Sequence, residues 1–210
     1  MRVTKYSHAC LRVERDGAVL VIDPGMFTEP EALEGVDAVL ITHEHADHLD
    51  PDRLADALGK RPAVTVYTHQ DVVGKLDALA GAVTTVESGQ EFTAAGFGVR
   101  AFGGWHAVIH PDVPVVPNLG FLVENNVYHP GDSFDVPEGA HVETLFVPVS
   151  GPWLKLSESV DFVRAVAPRR AYGLHDMLLS DIGLKSATGL LSRLSGCEYA
   201  QIPAGSTVDA

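Results

Sequence analysis

The 210-residue sequence predicts an α/β fold in which helices pack on the outer faces of β-sheets. Short runs rich in β-branched residues occur throughout both halves of the chain, as expected of strands. Segments with helical spacing are fewer and fall mainly between those runs, which places them outside the sheets. The 46% hydrophobic content is ordinary for a globular protein, and the length suits one domain over residues 1–210.

Strands dominate the first half of the chain. The predicted strands are LRVE (11–14), AVLVID (18–23), VDAVLIT (36–42), AVTVY (63–67), AVTTVE (82–87), EFTA (91–94) and GVRAFGGW (98–105). A helix over DRLADALGK (52–60) is predicted after the third strand. Asp50 has the chemistry of an N-cap there, and Pro51 suits the first helical position.

The second half continues the alternation of strands and helices. The predicted strands are NLGFLVE (118–124), NVYH (126–129), TLFVPV (144–149) and RAYGLH (170–175), and the predicted helices cover 157–167 and 185–194. The pair Asn125-Asn126, where the first two of these strands meet, is typical of a hairpin turn.

The acidic charge balance limits the partners of this chain. Against 28 Asp and Glu residues stand 15 Lys and Arg residues, and the formal net charge is −13. Such a surface repels polyanions and lacks the basic stripe that phosphate backbones need, so nucleic-acid binding is not expected. A small-molecule substrate is expected instead, and one or two local cations could still hold a phosphorylated one.

The sequence predicts a cytoplasmic protein without membrane contact. Its first residues, MRVTKYSHACLRVERDG, contain no signal-peptide run, and no stretch approaches the roughly 20 apolar residues of a membrane span. Cys10 and Cys197 are too few for a disulfide framework and form no CxxC pair, so both are predicted to be reduced and buried. No feature predicts an oligomeric state.

The segment HEHADH (43–48) places four metal-binding side chains within six residues. His43 and His45 are two residues apart, so an extended chain directs them to one side. Asp47 and His48 come where the chain turns towards the predicted helix. Imidazole suits Zn²⁺, and carboxylate suits it or a harder ion. One loop could therefore supply two ions about 3.5–4 Å apart, a spacing that serves hydrolytic displacement.

Three later strands also end in ligand-type residues. These residues are His106, Asp132 in a Gly turn, and His175. Three such strand ends are much harder to obtain by chance than the local cluster. His110 is an alternative ligand or a pocket residue, but His106 is preferred because it follows directly on its strand. Asp132 could also serve only as a turn former.

Together, HxHxDH (43–48), His106, the Gly-Asp turn at Asp132 and His175 resemble the metallo-β-lactamase superfamily. Within it, the chain is most similar to small, single-domain metal-dependent hydrolases of the ascorbate-6-phosphate-lactonase-like branch. The opening SHACLRVERDGAVLVIDPG also fits that group, and the similarity runs from about residue 8 to residue 175. The resemblance implies a four-layer αββα sandwich with two metal ions at one end.

The resemblance also implies how the ligands divide. His43, His45 and His106 would bind the first ion, and Asp47, His48 and His175 the second, with Asp132 bridging them. Both ions would be divalent, with Zn²⁺ preferred and Mn²⁺ or Fe²⁺ as alternatives. Such ions bring the pKa of bound water towards neutrality, so hydrolysis of a small ester, lactone or phosphodiester by a bridging hydroxide is predicted. A lactone or other carbonyl electrophile is preferred on the resemblance alone. Asp132 would orient the hydroxide, and Asp47 would help to manage protons.

Two other functions are considered beside hydrolysis. A mononuclear iron dioxygenase-like enzyme would need only one of the two sites. A non-catalytic binding or sensing module would need a closed, four-coordinate metal site. Seven ligands shared between two ions leave room for solvent, which favours catalysis.

Residues around the ligand set each have two interpretations. Asp23 could fix the tautomer of a metal-bound imidazole, or form only a turn before Pro24. His8 could face the active site or make a structural hydrogen bond. Trp153 and Lys155 could contact substrate, or could belong to a surface loop with the indole packed on the core. The prolines of HPDVPVVPNLG (110–120) predict a stiff loop over the pocket.

Overall fold

Two mixed, seven-stranded sheets form the centre of the molecule in the computed structural model, which describes residues 1–59 and 63–210. The strands are β1 Arg2–Lys5, β2 Leu11–Arg15, β3 Ala18–Ile22, β4 Ala38–Leu40, β5 Thr65–Thr68, β6 Val83–Thr85, β7 Glu91–Ala94, β8 Phe97–Trp105, β9 Pro117–Val123, β10 Val127–His129, β11 Thr144–Pro148, β12 Arg170–Leu174, β13 Glu198–Ala200 and β14 Ser206–Asp209. The first sheet has the order β14-β1-β2-β3-β4-β5-β6, and the second has the order β13-β12-β11-β10-β9-β8-β7.

Helices cover the outer face of each sheet. They are α1 Pro51–Gly59, α2 Gln70–Val73, α3 Leu156–Val166 and α4 Asp181–Leu194, with 3₁₀ helices at Pro30–Leu33 and Asp77–Ala82. Leu54 of α1 packs in a cluster on the first sheet, and Leu191 of α4 packs in a cluster on the second. A third cluster, which includes Phe97 and Phe121, fills the space between the sheets. The order helix, sheet, sheet, helix confirms the predicted αββα sandwich.

Strand direction brings the candidate ligands to one end of the sandwich. Strands β3 to β6 are parallel to one another, and so are β10 to β13. The carboxyl ends of parallel neighbours lie at the same edge of a sheet, where loops carry function. At this end two backbone hydrogen bonds cross between the sheets: Leu119 N–H donates to Thr42 O and His175 N–H donates to His8 O, both at 2.9 Å.

The predicted strands and helices are confirmed with shifted ends. Strand β4 is shorter than the predicted run over 36–42. Helix α4 begins four residues before the predicted start at 185, because the hydroxyl of Ser180 caps it by accepting from Gly183 N–H. The hairpin between β9 and β10 is confirmed, with positive φ at Glu124 and Asn125. Lys60, the last residue of the first predicted helix, lies outside the described residues.

Three edge or near-edge strands were not predicted. Strands β1, β13 and β14 are four, three and four residues long. Strand β14 pairs with β1 along its whole length, although the two lie about 200 residues apart in sequence. Such strands form because a partner is already present, so their local sequence carries little signal.

The prediction of burial was right for one cysteine and wrong for the other. Both thiols are free and Cys10 is buried, but Cys197 is only partly buried. Cys197 stands in the short connection between α4 and the edge strand β13, where less structure covers it. Within residues 1–59 and 63–210, no helix combines the length and apolarity needed to cross a bilayer.

Gly25 allows the HEHADH loop to pack against the loop that follows β3. Met26 N–H donates to Ala46 O at 2.8 Å, which holds the two loops together. A Cβ atom on Gly25 would lie 2.0 Å from the backbone oxygen of Asp47 and 2.5 Å from His48 N. Only glycine therefore fits at this contact.

We expect Gly25→Ala to lower the free energy of unfolding by about 1–3 kcal/mol, because the new methyl group must push backbone aside. Denaturant unfolding followed by circular dichroism measures this. Gly59→Ala is the matched control, since no atom lies within 4 Å of a Cβ built there. Equal stability of the two variants would contradict the close approach of the loops.

Candidate metal centre

The structure brings the seven predicted ligands to one site. Their ring nitrogens and carboxylate oxygens form three overlapping groups in which all ligand atoms lie within 4.8 Å of one another. The groups are His43, His45 and His106; His8, Asp47, His48 and His175; and His43, His48 and Asp132. The sequence alone did not divide the ligands, but the first group matches the division that the family resemblance implies, and the second matches it with His8 added.

The first group consists of three imidazoles whose orientation is set from behind. His43 is fully buried, and its Nδ1 lies 2.9 Å from the hydroxyl of Thr42. His106 Nδ1–H donates to Ala107 O, which leaves Nε2 free. His43 Nε2 and His45 Nδ1 lie 3.1 Å apart. The hydrogen bonds to Thr42 and Ala107 thus select the nitrogens that face the site.

The second group contains a carboxylate between imidazoles. Asp47 Oδ2 lies 3.1 Å from His8 Nε2 and 3.3 Å from His175 Nε2. His8 Nδ1 accepts the N–H of Met177 at 3.4 Å, so Nε2 carries the proton that His8 donates to Asp47. In this arrangement His8 orients the carboxylate of Asp47, which favours the active-site interpretation of His8 over a purely structural one.

Asp132 reaches both groups. Its Oδ1 lies 3.0 Å from His48 Nε2, and its Oδ2 lies 3.1 Å from His175 Nε2 and 3.3 Å from His106 Nε2. The side chain is almost completely buried. One carboxylate therefore has contacts to the imidazoles of the first and the second group.

Several hydrogen bonds fix the turn that carries Asp132. Asn118 Oδ1 accepts the N–H of Asp132 at 3.0 Å, and Trp153 Nε1–H donates to Asp132 Oδ2 at 2.9 Å. His129 accepts the N–H of Gly131 at 3.0 Å. Gly131 has φ +65°, and a Cβ there would lie 2.2 Å from Asn118 Oδ1. Glycine is thus required for Asp132 to enter the site.

Asp23 also supports the site while ending its strand in a turn. Its carboxylate accepts from the backbone and hydroxyl of Thr42 at 2.8 and 2.7 Å, and Oδ2 lies 2.7 Å from His48 Nδ1. This contact directs the other nitrogen of His48 towards Asp132. Both interpretations of Asp23 therefore apply, because Gly25 N–H also donates to Asp23 O at 2.9 Å.

The protonation of the site follows from its buried carboxylates. Burial lowers the pKa of His43 well below its usual value, and the charge on His48 lowers it further. Burial alone would lower the pKa of His175, but the charge of Asp132 and hydrogen bonds with Asp132 and Asp47 together raise that pKa to about 9. The pKa of His48 is likewise raised well above its usual value by Asp132 and Asp23, against the effect of burial. Without metal, two imidazolium ions thus compensate the carboxylates.

Neighbouring histidines in turn stabilise the negative charges of Asp132 and Asp47. Burial would raise the pKa of Asp132, but the positive charges of His48 and His175 hold it well below its usual value. Burial acts in the same direction on Asp47, and hydrogen bonds with His175 and His8 bring its pKa far below the usual range. Both groups are therefore anionic at neutral pH.

Buried atoms without hydrogen-bond partners show that this donor set fits divalent ions. His48 Nε2, His106 Nε2, His175 Nε2 and Asp132 Oδ1 are buried and lack a hydrogen bond of acceptable geometry, although they lie close together. Such orphaned groups are rare in folded proteins and call for an ion or water. Their mixture of imidazole and carboxylate suits Zn²⁺ and similar metals.

Two of the predicted site residues make no contact with this cluster among the contacts of the described residues. The ring of His110 is 63% exposed and faces Asp112, its neighbour in the same loop, so the nearby ligand candidate is His106. Lys155 is exposed and precedes α3, where its backbone N–H donates to Glu158. The buried indole of Trp153 packs in the core, as one of its two interpretations holds, and it also donates to Asp132, a contact that the sequence did not predict.

Sequence reasoning missed the polar residues that hold the ligands from behind. Asn118, Thr42 and Lys5 are almost completely buried. The ammonium of Lys5 lies 2.9 Å from Asp176, the residue that follows His175. An asparagine within the apolar run NLGFLV was the available signal for Asn118. Lys5 gave none, because its partner is distant in sequence.

Comparison with known proteins gives the family. A family model described as a β-lactamase superfamily domain matches residues 2–175. Protein Rv0786c of Mycobacterium tuberculosis is 37% identical over 214 residues, covering 99% of both chains. A UPF0173 metal-dependent hydrolase of Chelativorans sp. is 30% identical over 178 residues, covering 72% of this chain and 71% of the relative.

A solved structure shows the same fold at low sequence identity. YhfI of Bacillus subtilis, a metallo-β-lactamase fold protein, superimposes with a TM-score of 0.77 at 15% identity, covering 100% of this chain and 99% of YhfI. The chain therefore belongs to the β-lactamase superfamily, and within it to the metal-dependent hydrolases.

Proposed function

We propose that this chain hydrolyses a small ester, lactone or phosphodiester at a site that holds two divalent metal ions. The observation that supports this most strongly is the position of Asp132. Its two carboxylate oxygens face imidazole nitrogens of both ligand groups, as a group shared by two ions would. The first ion would be held by His43, His45 and His106, and the second by Asp47, His48 and His175, with Asp132 common to both.

The donor set supports zinc, with manganese or iron as alternatives. Three imidazoles in the first group match the ligand set of many zinc sites. A carboxylate with two imidazoles in the second group also suits harder ions. When bound, such ions ionise water near neutral pH and polarise the oxygen of a carbonyl or phosphoryl group.

The residues of the chain would control position and protons. Asp132 is held rigidly by Asn118, Trp153 and Gly131, so it can accept a hydrogen bond from the attacking water without moving. Asp47 is 27% exposed and lies on the open side of the site, where it can take a proton from the water and deliver it to the leaving group. His8 keeps that carboxylate in place.

Partial exposure at one side of the site supports catalysis over a structural role. His45 and Asp47 are half-buried, whereas His43, His48, His106 and His175 are buried. A structural metal site is closed, but a catalytic one keeps an open position for water and substrate. The substrate would be a small molecule rather than nucleic acid, in keeping with the net charge of −13. Among the three substrate classes we favour a lactone or related carbonyl compound.

We expect Asp132→Asn to reduce hydrolysis by more than about a hundredfold, because the amide keeps the shape but loses the charge shared between the ions. A panel of aryl esters, lactones and bis-aryl phosphates, assayed with added Zn²⁺ or Mn²⁺, measures this. His141→Ala is the control, since that ring is 78% exposed. Full activity in Asp132→Asn, with the fold intact by circular dichroism, would sink the proposed mechanism.

We also expect metal uptake at pH 7 to release protons. His48 and His175 must be neutral to bind a metal, yet both have raised pKa values in the metal-free site, that of His175 at about 9. Calorimetric titration with Zn²⁺ in buffers of different ionisation enthalpy measures the released protons. His48→Ala should release clearly fewer protons than wild type, because it lacks the proton of His48 and a ligand of the second ion. Binding heats that do not depend on the buffer would rule out this protonation.

The raised pKa values of His48 and His175 also determine in which direction stability and metal affinity change with pH. A histidine whose pKa exceeds the unfolded value of about 6.5 stabilises the metal-free fold fully below that pH. This contribution disappears as pH rises through the folded pKa, which is about 9 for His175. Metal affinity should therefore increase with pH up to about 9, while the metal-free protein loses stability across the same interval.

A further inference from the structure

The large apolar side chains exposed to solvent are concentrated at the metal end of the sandwich. Among the described residues, every one of them lies in or within one turn of the segments that follow β3, β8, β10 and β12. The last three of these segments carry His106, Asp132 and His175, and the first carries Asp23. Six of these side chains, here called the apolar rim, are Met26, Phe27, Trp105, Val108, Met177 and Leu178.

The apolar rim is continuous with the ligand cluster on two sides. On one side, the ring of Phe27 lies 5.2 Å from that of His8, and Met177 N–H donates to His8 Nδ1. On the other side, Trp105 directly precedes His106 and is 64% exposed. A substrate bound at the metals would therefore lie beside the Phe27 side of the rim, and Trp105 is the exposed aromatic residue nearest in sequence to His106.

Exposed apolar side chains that gather in one region usually mark a binding surface. In the described part of the chain, no other face exposes large apolar side chains. Their exposure is therefore not a property of the surface as a whole. Two pockets of about 480 and 440 Å³ share Leu179 in their lining, and Met177 lines the first while Leu178 lines the second. The region thus offers both apolar contact and space.

Three described cations near the site are already engaged. Lys5 is paired with Asp176 at 2.9 Å, and Lys75 lies 3.6 Å from Glu44 in the HEHADH loop. The guanidinium of Arg53 donates to backbone oxygens of Thr28 and Met26 and lies near Asp50. With a net charge of −13 around it, this entrance favours a neutral substrate over an anionic one.

We propose that the apolar rim binds the hydrocarbon chain of a neutral ester or lactone and places its carbonyl group at the metal site. This inference rests on the proposed hydrolase function and specifies its substrate class. Water adds to the carbonyl carbon and the ring or ester C–O bond breaks. The leaving alkoxide receives the proton that Asp47 took from the water, and the products are a hydroxy acid, or an acid and an alcohol.

The chain carries a natural reporter for this binding. Its two tryptophans are Trp105, which is 64% exposed, and Trp153, which is buried. Apolar contact with Trp105 should shift its fluorescence to shorter wavelengths, whereas Trp153 is already shielded. The probes are γ-lactams that carry butyl, hexyl or octyl chains, since an amide ring resists hydrolysis. They are titrated into metal-free protein.

We expect the affinity to rise roughly two- to threefold for each added methylene, below the about fourfold of complete burial. Trp105→Ser and Phe27→Ser should each weaken binding of the octyl probe by more than about fivefold. Glu198→Ser, on the edge strand β13, is the control for a general effect of surface substitution. Trp105→Phe should lose the signal but keep the affinity when binding is measured by calorimetry.

Three outcomes would overturn the inference. One is an affinity that does not change with chain length, and another is tighter binding of octyl phosphate than of the octyl lactam. The third is a wild-type dimer, seen by sedimentation, that Trp105→Ser dissociates, because a second copy would then cover the rim. The probes bind without metal or turnover, so their failure leaves the hydrolase proposal intact. Full activity in Asp132→Asn would instead contradict the hydrolase mechanism and would leave the probe binding at the rim unchanged.

Discussion

The buried charge of Asp132 is the constraint on which the rest of the site depends. An isolated carboxylate in a protein interior is strongly unfavourable unless it is paired and hydrogen-bonded. Here Asn118 and Trp153 hold it by hydrogen bonds, while His48 and His175 supply compensating positive charge when no metal is bound. Metal ions would take over that compensation, because the same nitrogens that carry protons are the nitrogens offered to a metal.

The fold makes this arrangement possible by joining two sheets at their ligand-bearing end. Each sheet alone brings only part of the site: β4 leads to the HEHADH loop, whereas β8, β10 and β12 lead to His106, Asp132 and His175. The backbone hydrogen bonds from Leu119 to Thr42 and from His175 to His8 connect the two parts directly. A shift of one sheet against the other would therefore separate Asp132 from His43 and His48.

The sequence predicted which residues gather at the site because each candidate ligand follows a strand that has a clear local pattern. HEHADH follows VDAVLIT, and the later ligands follow runs rich in β-branched residues, so strand ends and chemistry coincide. The supporting residues were harder to find. Asn118 acts fourteen residues from Asp132, and His8 meets Met177 only because the two sheets face each other. The edge strands β13 and β14 were missed for the same reason, since pairing rather than composition forms them.

Metal content per chain tests the two-ion site most directly. Elemental analysis would be made on the wild type, on His48→Ala and on the exposed-site control His141→Ala, each loaded with Zn²⁺ and freed of excess. We expect about two equivalents in the wild type and in His141→Ala, falling towards about one in His48→Ala, because that variant removes a ligand of the second ion only. A single equivalent that is the same in all three proteins would contradict a two-ion site.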